Sequence, residues 1–213
     1  MDLSGWIDRN AAFAPGKVAL VGAGRELTYA DLAREIGRTA AALAACGVNP
    51  GDRVAYLGYN SAEQISLLFA CARLGALFAP LSWRLAPPEH RAMLADCRPR
   101  VLVVADPFIG PTTGILDPAD AVVRVAIGAA HEGWIDYEKF LARGASLAPG
   151  AGEPLNAAVR YRLYRCRKRA PVPRCHDVSV SSGTIPPSWL RTKSREMSVI
   201  SWRKSDSACI VTL

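Results

Sequence analysis

Residues 17–127 switch repeatedly between two hydrophobic periods, and each switch falls at a turn-forming residue. Lys17-Val-Ala-Leu-Val21 is a short apolar run. Gly22-Ala-Gly24-Arg25 turns it, and Glu26-Leu-Thr-Tyr29 returns, which predicts a small hairpin. Thr28 followed by Asp31 has the capping-box spacing, in which the hydroxyl accepts an orphan backbone N–H at a helix start. A helix is expected from Tyr29 to Cys46, with Leu32, Ile36, Ala40 and Leu43 on one face and Gly47 as its stop. After the loop Val48–Asp52, Arg53–Leu57 reads as a strand. Ser61 and Gln64 repeat the capping-box spacing and open a second helix, Ala62–Leu74. That helix is apolar around most of its circumference, so burial on all sides is expected.

Ala76–Pro80 and Arg100–Ala105 are apolar without alternation, the pattern of strands buried on both faces. Between them Pro87-Pro88 opens a third helix, Glu89–Asp96, with proline in the favoured first turn. A weaker strand is expected over Val122–Ile127. Strand and helix alternating in this way predict an α/β fold, a layered and mostly parallel sheet. A parallel sheet cut short would leave an unpaired edge and exposed apolar surface.

From about residue 156 the local signals stop agreeing with one another. Arg160–Arg169 is a basic run, Ile185-Pro-Pro-Ser-Trp189 interrupts any element, and Arg191–Arg203 follows neither period. The division expected is therefore 1–155, an α/β layer, and 156–213, an irregular basic tail read as disordered. Charge follows the same division. Residues 1–150 hold 14 Lys and Arg against 15 Asp and Glu, whereas residues 151–213 hold 12 against 4, so the formal net charge of +7 arises in the tail. Such a tail has non-specific affinity for polyanions, nucleic acid or an anionic surface. Tyr161, Arg162, Tyr164, Arg165, Arg167, Lys168 and Arg169 interleave rings with cations, but the unstructured basic tail is the reading preferred.

No apolar run approaches the ~20 residues that cross a bilayer, and Met1–Trp6 lacks a secretory pattern, so no membrane span and a cytoplasmic location are expected. Cys46, Cys71 and Cys97 lie in apolar contexts as small hydrophobes. Cys166, Cys175, His176 and Cys209 fit no usual zinc spacing. Val21-Gly-Ala-Gly24 lacks the third glycine and following helix of a dinucleotide site. His90 and His131 have no partner at a catalytic spacing and read as surface residues. Trp83 and Arg84 follow a strand end and read as packing or domain contacts. No residue is assigned a catalytic, cofactor-binding or metal role.

Leu27-Thr-Tyr-Ala-Asp-Leu32 resembles the "LTYxEL" of AMP-dependent synthetases and ligases, and Gly47-Val-Asn-Pro-Gly-Asp-Arg-Val54 their "GVxxGDRV". Asn60, Glu63 and Leu74-Gly-Ala76 fit the family's next helix. Pro80-Leu-Ser-Trp-Arg-Leu85 resembles "PlNxrl", and Val101–Val104 the strand that follows. The resemblance covers residues 6–130. It implies an acid–CoA ligase in the acyl-CoA synthetase branch: ATP activates a small carboxylic acid, here read as fatty, to an acyl-adenylate, with Mg2+ accompanying the nucleotide, and CoA then displaces AMP.

The family's phosphate loop resembles "YTSGTTGxPKG", whose glycines and lysine cradle phosphate. Where it is due, the chain has Ser181-Ser-Gly-Thr-Ile-Pro-Pro187, without the second glycine and the lysine. A complete family member is more than twice as long. The chain is thus expected to be a truncated ligase, inactive alone, with ATP, CoA and Mg2+ not expected to bind it well. Its Arg-, Ser- and Pro-rich tail is what a GC-rich gene gives when read out of frame. The rival expectation is a non-enzymatic protein whose basic tail binds nucleic acid or an anionic surface.

Overall fold

The computed structural model describes residues 5–22, 24–116 and 122–146, together with two short strands, Arg160–Tyr161 and Val178–Ser179. The expected tail calls, from the basic run to the phosphate-loop echo, therefore lie outside the described residues, those two strands excepted.

The elements in chain order are α1 (Trp6–Phe13), β1 (Val18–Gly22), β2 (Arg25–Thr28), α2 (Tyr29–Ala45), β3 (Arg53–Leu57), α3 (Ala62–Leu74), β4 (Leu77–Leu81), α4 (Pro87–Cys97) and β5 (Val101–Ala105). They continue with α5 (Ile109–Thr113), β6 (Val123–Ile127), β7 (Ile135–Asp136), α6 (Tyr137–Arg143), β8 (Arg160–Tyr161) and β9 (Val178–Ser179). β1 and β2 form a separate antiparallel hairpin. The main sheet has the order β7-β6-β5-β3-β4-β8-β9. Its pairings from β7 to β8 are parallel, and β8–β9 is antiparallel. This is the α/β parallel layer the alternating pattern predicts. Beyond β4, Phe78 pairs with Tyr161 of β8.

Helices cover both faces of the sheet, which is why its strands are apolar without alternation. Val54, Tyr56, Val101, Val103 and Val125 face a core shared with Leu32, Ile36 and Leu43 of α2, the apolar side chains of α3, and Phe140. Ala55, Leu57, Leu102, Val104 and Ala126 face a second core with Met93, Leu94 and Ile109. The α2 stripe Leu32, Ile36, Ala40 and Leu43 is fully buried, as its spacing requires.

Local chemistry sets the helix ends. The Thr28 hydroxyl accepts from Asp31 N at 3.2 Å, and the Asp31 carboxylate accepts from Thr28 N at 3.3 Å, completing the capping box. The Thr28 hydroxyl also donates to the Asp31 carboxylate at 2.7 Å, and that bond, more than the one from Thr28 N, holds the Asp31 carboxyl below the usual carboxylate range. Thr28→Ala should lower the unfolding free energy by about 1 kcal/mol, read from the shift of the urea midpoint. The second box is only half present. Ser61 accepts from Gln64 N at 3.2 Å, but Gln64 Oε1 is buried without a hydrogen-bond partner. Gly75 ends α3 with φ +66, a left-handed conformation that only glycine adopts cheaply. At the amino edge of the sheet, Arg53 Nε donates to Cys97 O at 2.7 Å and Arg100 Nε to Cys46 O at 3.4 Å. Each guanidinium caps the carbonyl end of a helix.

Three helices were not anticipated. α1 buries only Ile7 and starts at Gly5 without a side-chain cap, so its pattern carries little period. Its place is fixed by Asp8, which pairs with Arg73 of α3. α5 is a five-residue turn containing Gly110 and Pro111. α6 starts at Asp136, whose carboxylate accepts from Glu138 N and Lys139 N at 3.0 and 3.2 Å.

Candidate functional site at the carboxyl edge of the sheet

Because β6, β5, β3 and β4 run parallel, the loops that follow them emerge along one edge, where open α/β sheets bind ligands. The three inner loops each deliver one aromatic ring. Tyr59 follows β3, the central strand of the three, Trp83 follows β4, and Phe108 follows β5. The Tyr59 ring meets Trp83 edge-on at 5.0 Å between centroids and Phe108 at 5.1 Å. The Arg84 guanidinium lies over Trp83, 4.8 Å from the ring centre. Tyr59 is 51% exposed and Trp83 41%, so the pair leaves ring surface open to a partner. Exposed rings beside a guanidinium suit a planar group that carries negative charge.

The loop bearing Tyr59 is held from below. Tyr56 points into the core from β3 and is 1% exposed. Its hydroxyl donates to Tyr59 O at 2.6 Å and lies 3.2 Å from Ser61 Oγ. Burial pushes the Tyr56 phenol up to about 12, so it stays a neutral donor through the physiological range. Gly58 crosses directly over it. A Cβ at this position would sit 2.6 Å from the Tyr56 hydroxyl and 2.9 Å from Ala105 Cβ.

The histidines expected at the surface behave differently from each other. His90 is buried, a correction to the surface reading, because α4 docks it beneath the β4 loop with Nε2 2.9 Å from Ser82 O. His131, half-buried in the loop after β6, has Nε2 2.6 Å from Asp106 Oδ1. Trp134 Nε1 donates to Thr113 Oγ1 at 3.1 Å, so the same loop is tied twice to the segment after β5. Trp83 and Arg84, read as packing or domain contacts, line the open side of the aromatic cluster. Tyr59 and Phe108 were missed. The signal available was an aromatic residue just past the end of each buried strand. Cys46, Cys71 and Cys97 are free and buried, as their apolar contexts suggest. Among the described residues no three His, Cys, Asp or Glu side chains converge as a metal site.

The sequence pattern of the family described as AMP-binding enzyme matches residues 7–173. The chain belongs to this family. The match runs past the residues 6–130 over which individual motifs can be read. Indoleacetate–CoA ligase of Aromatoleum aromaticum is 52% identical over 149 residues, which are 70% of this chain and 29% of the relative. Feruloyl-CoA synthase of an Amycolatopsis species is 46% identical over 101 residues, 47% of this chain and 21% of the relative. The chain therefore spans less than a third of the length of these AMP-binding relatives. Among solved structures, the anthranilate CoA ligase AuaEII in complex with anthranoyl-AMP superposes with a TM-score of 0.73 at 25% identity, covering 84% of this chain and 35% of that one. The inhibitor-bound N-terminal domain of FACL13 from Mycobacterium tuberculosis superposes with a TM-score of 0.65 at 28% identity, covering 84% of this chain and 44% of that one. The described layer thus matches part of the N-terminal domain of an adenylate-forming enzyme. No described helix is long and apolar enough to cross a membrane.

Proposed function

We propose that the chain is the opening portion of an acid–CoA ligase, an enzyme that activates a carboxylic acid as its adenylate and passes the acyl group to CoA. The observation that carries this reading is the 52% identity to indoleacetate–CoA ligase over 149 residues. The acid it serves is read as aromatic, with a fatty acid as the second reading, which a fatty acid–[acyl-carrier-protein] ligase 41% identical over 125 residues supports. Indoleacetate, ferulate and anthranilate appear in the names of the relatives reported above.

The described residues supply scaffold and one ligand-facing surface, not the reacting groups. The Tyr59–Trp83 pair and Arg84 suit the adenine-nucleotide end that ATP and CoA share, with stacking for the base and a cation for phosphate. Among the described residues no three His, Cys, Asp or Glu side chains gather, so the nucleotide's phosphates would supply most of the ligands of an accompanying magnesium ion. Adenylation needs donors aimed at the developing phosphate charge. Ser181–Pro187 lacks the lysine and second glycine of such a loop, so further polypeptide completes the reaction.

The test is acid-dependent ATP–pyrophosphate exchange in two preparations, with matched panels of aromatic and fatty acids. One is the 213-residue chain. The other is the protein recovered through a tag on this chain from its own cells, with any polypeptide that completes it. Exchange is expected only in the second, with aromatic acids ahead. Acid-dependent exchange by the chain alone contradicts the need for completion, a preference for fatty acids contradicts the acid class, and no exchange in either contradicts the ligase role.

A further inference from the structure

We infer that Tyr56 is a positioning residue for the ligand-facing edge: from within the core it fixes the Gly58–Ser61 loop so that Tyr59 is presented between Trp83 and Phe108. The inference rests on the reading that this aromatic surface contacts an adenine nucleotide, and it adds the device that sets the surface's geometry.

Three observations converge on Tyr56. Its hydroxyl is the described partner of Tyr59 O, at 2.6 Å, and it also reaches Ser61 Oγ at 3.2 Å. One buried group thereby ties the carbonyl of the presented residue to the cap of α3. The loop lies so close above it that Gly58 has no room for a side chain: a Cβ would be 2.6 Å from the hydroxyl. The rest of the ring packs beside Phe78 of β4, with centroids 6.4 Å apart, so the ring that holds the β3 loop is itself braced by the next strand. A residue needed only to fill the core would not require the hydroxyl, since a phenylalanine supplies the same ring. The hydroxyl serves the loop.

A surface built from three separate loops loses affinity when one of them samples other positions, because the bound geometry must then be selected on each encounter. Tyr56→Phe should therefore leave the core intact and loosen the loop alone. The closing experiment titrates the 213-residue chain with CoA and, separately, with ATP, following the heat of binding by calorimetry. It is paired with amide hydrogen exchange. The unaltered chain should bind at least one of the two saturably, and Trp83→Ala should weaken that binding tenfold or more. Tyr56→Phe should weaken it three- to tenfold and speed amide exchange at residues 59–61 at least tenfold, with exchange in α2 and β5 unchanged. Gly58→Ala, which intrudes on the hydroxyl from the other side, should reproduce the loss of binding.

Failures of the two readings are distinguishable. No saturable binding by the unaltered chain, or none lost in Trp83→Ala, overturns the nucleotide reading of the surface. Weakened binding in Trp83→Ala with unchanged affinity and unchanged loop exchange in Tyr56→Phe overturns the role of Tyr56 alone. Faster exchange throughout α2 and β5 in Tyr56→Phe would make Tyr56 a core residue with no special relation to the loop, and also overturns it.

Discussion

Phe140→Ala is expected to lower the unfolding free energy by about 3–5 kcal/mol, the cost of emptying a buried aromatic site. Phe140 is 0% exposed and belongs to the core shared by α2, α3 and the sheet. Its ring centroid lies 5.8 Å from that of Tyr137, so truncation also removes an aromatic contact. The site has little freedom to collapse. Gly144, just beyond α6, is already pressed against α2, where a Cβ would stand 2.5 Å from Ala42 N. Denaturant unfolding of the variant and the unaltered chain measures the difference. A loss below about 1 kcal/mol would mean that α6 is not part of the core, and the account of this helix would fail.

A comparable loss should appear in alkali without any mutation. In the folded chain burial raises the Tyr56 phenol to about 12 from its ordinary 10. Between those two values the unfolded chain releases the proton while the folded chain keeps it, so stability falls as pH rises. The contribution is complete below pH 10 and gone above about pH 12, and two units correspond to about 2–3 kcal/mol. Tyr137 and Tyr29 are also raised by burial and act in the same direction. Tyr56→Phe carries no ionisable group at this position. Its stability should therefore decline less steeply between pH 10 and 12, and the difference in slope from the unaltered chain isolates Tyr56 from the other titrating groups. Parallel declines would contradict a buried, neutral Tyr56.

The legible part of the fold is the part written in local chemistry. β3, α3 and the hairpin follow from turn residues, caps and stops within a few positions of each element, and Thr28, Ser61 and Gly75 play their expected roles. α2 is equally plain because its buried stripe repeats over four turns. What escaped depends on distant parts of the chain. α1 has one buried residue and is anchored by Asp8 to Arg73, a partner no local pattern announces. α6 was marked by Asp136 at its start, but its apolar content is short and its burial comes from docking on α2. His90 looks like a surface residue on a proline-led helix, and only the seating of α4 under the β4 loop buries it.

The edge site was the least legible feature. Tyr59, Trp83 and Phe108 stand far apart in the chain and gather only because the sheet order places β3 between β5 and β4. Tyr56 reads as one more apolar residue of a buried strand, and its hydroxyl acquires a purpose only once Gly58 is seen to cross it. The family, by contrast, could be read from the order of short motifs between Leu27 and Val104, and the match to residues 7–173 agrees with it. The acid class is not fixed by that match, since the relatives include both an indoleacetate ligase and a fatty acid–[acyl-carrier-protein] ligase.

The most direct measurement of the central claim is a chimera. Residues 1–146 of this chain would replace the matching opening segment of indoleacetate–CoA ligase, and ATP–pyrophosphate exchange would be followed with indoleacetate. If this layer is the opening part of an adenylate-forming ligase, the chimera should fold and keep indoleacetate-dependent exchange within about tenfold of the parent, a loss of about 1.4 kcal/mol at most. A chimera that folds and binds ATP but exchanges no pyrophosphate would contradict it.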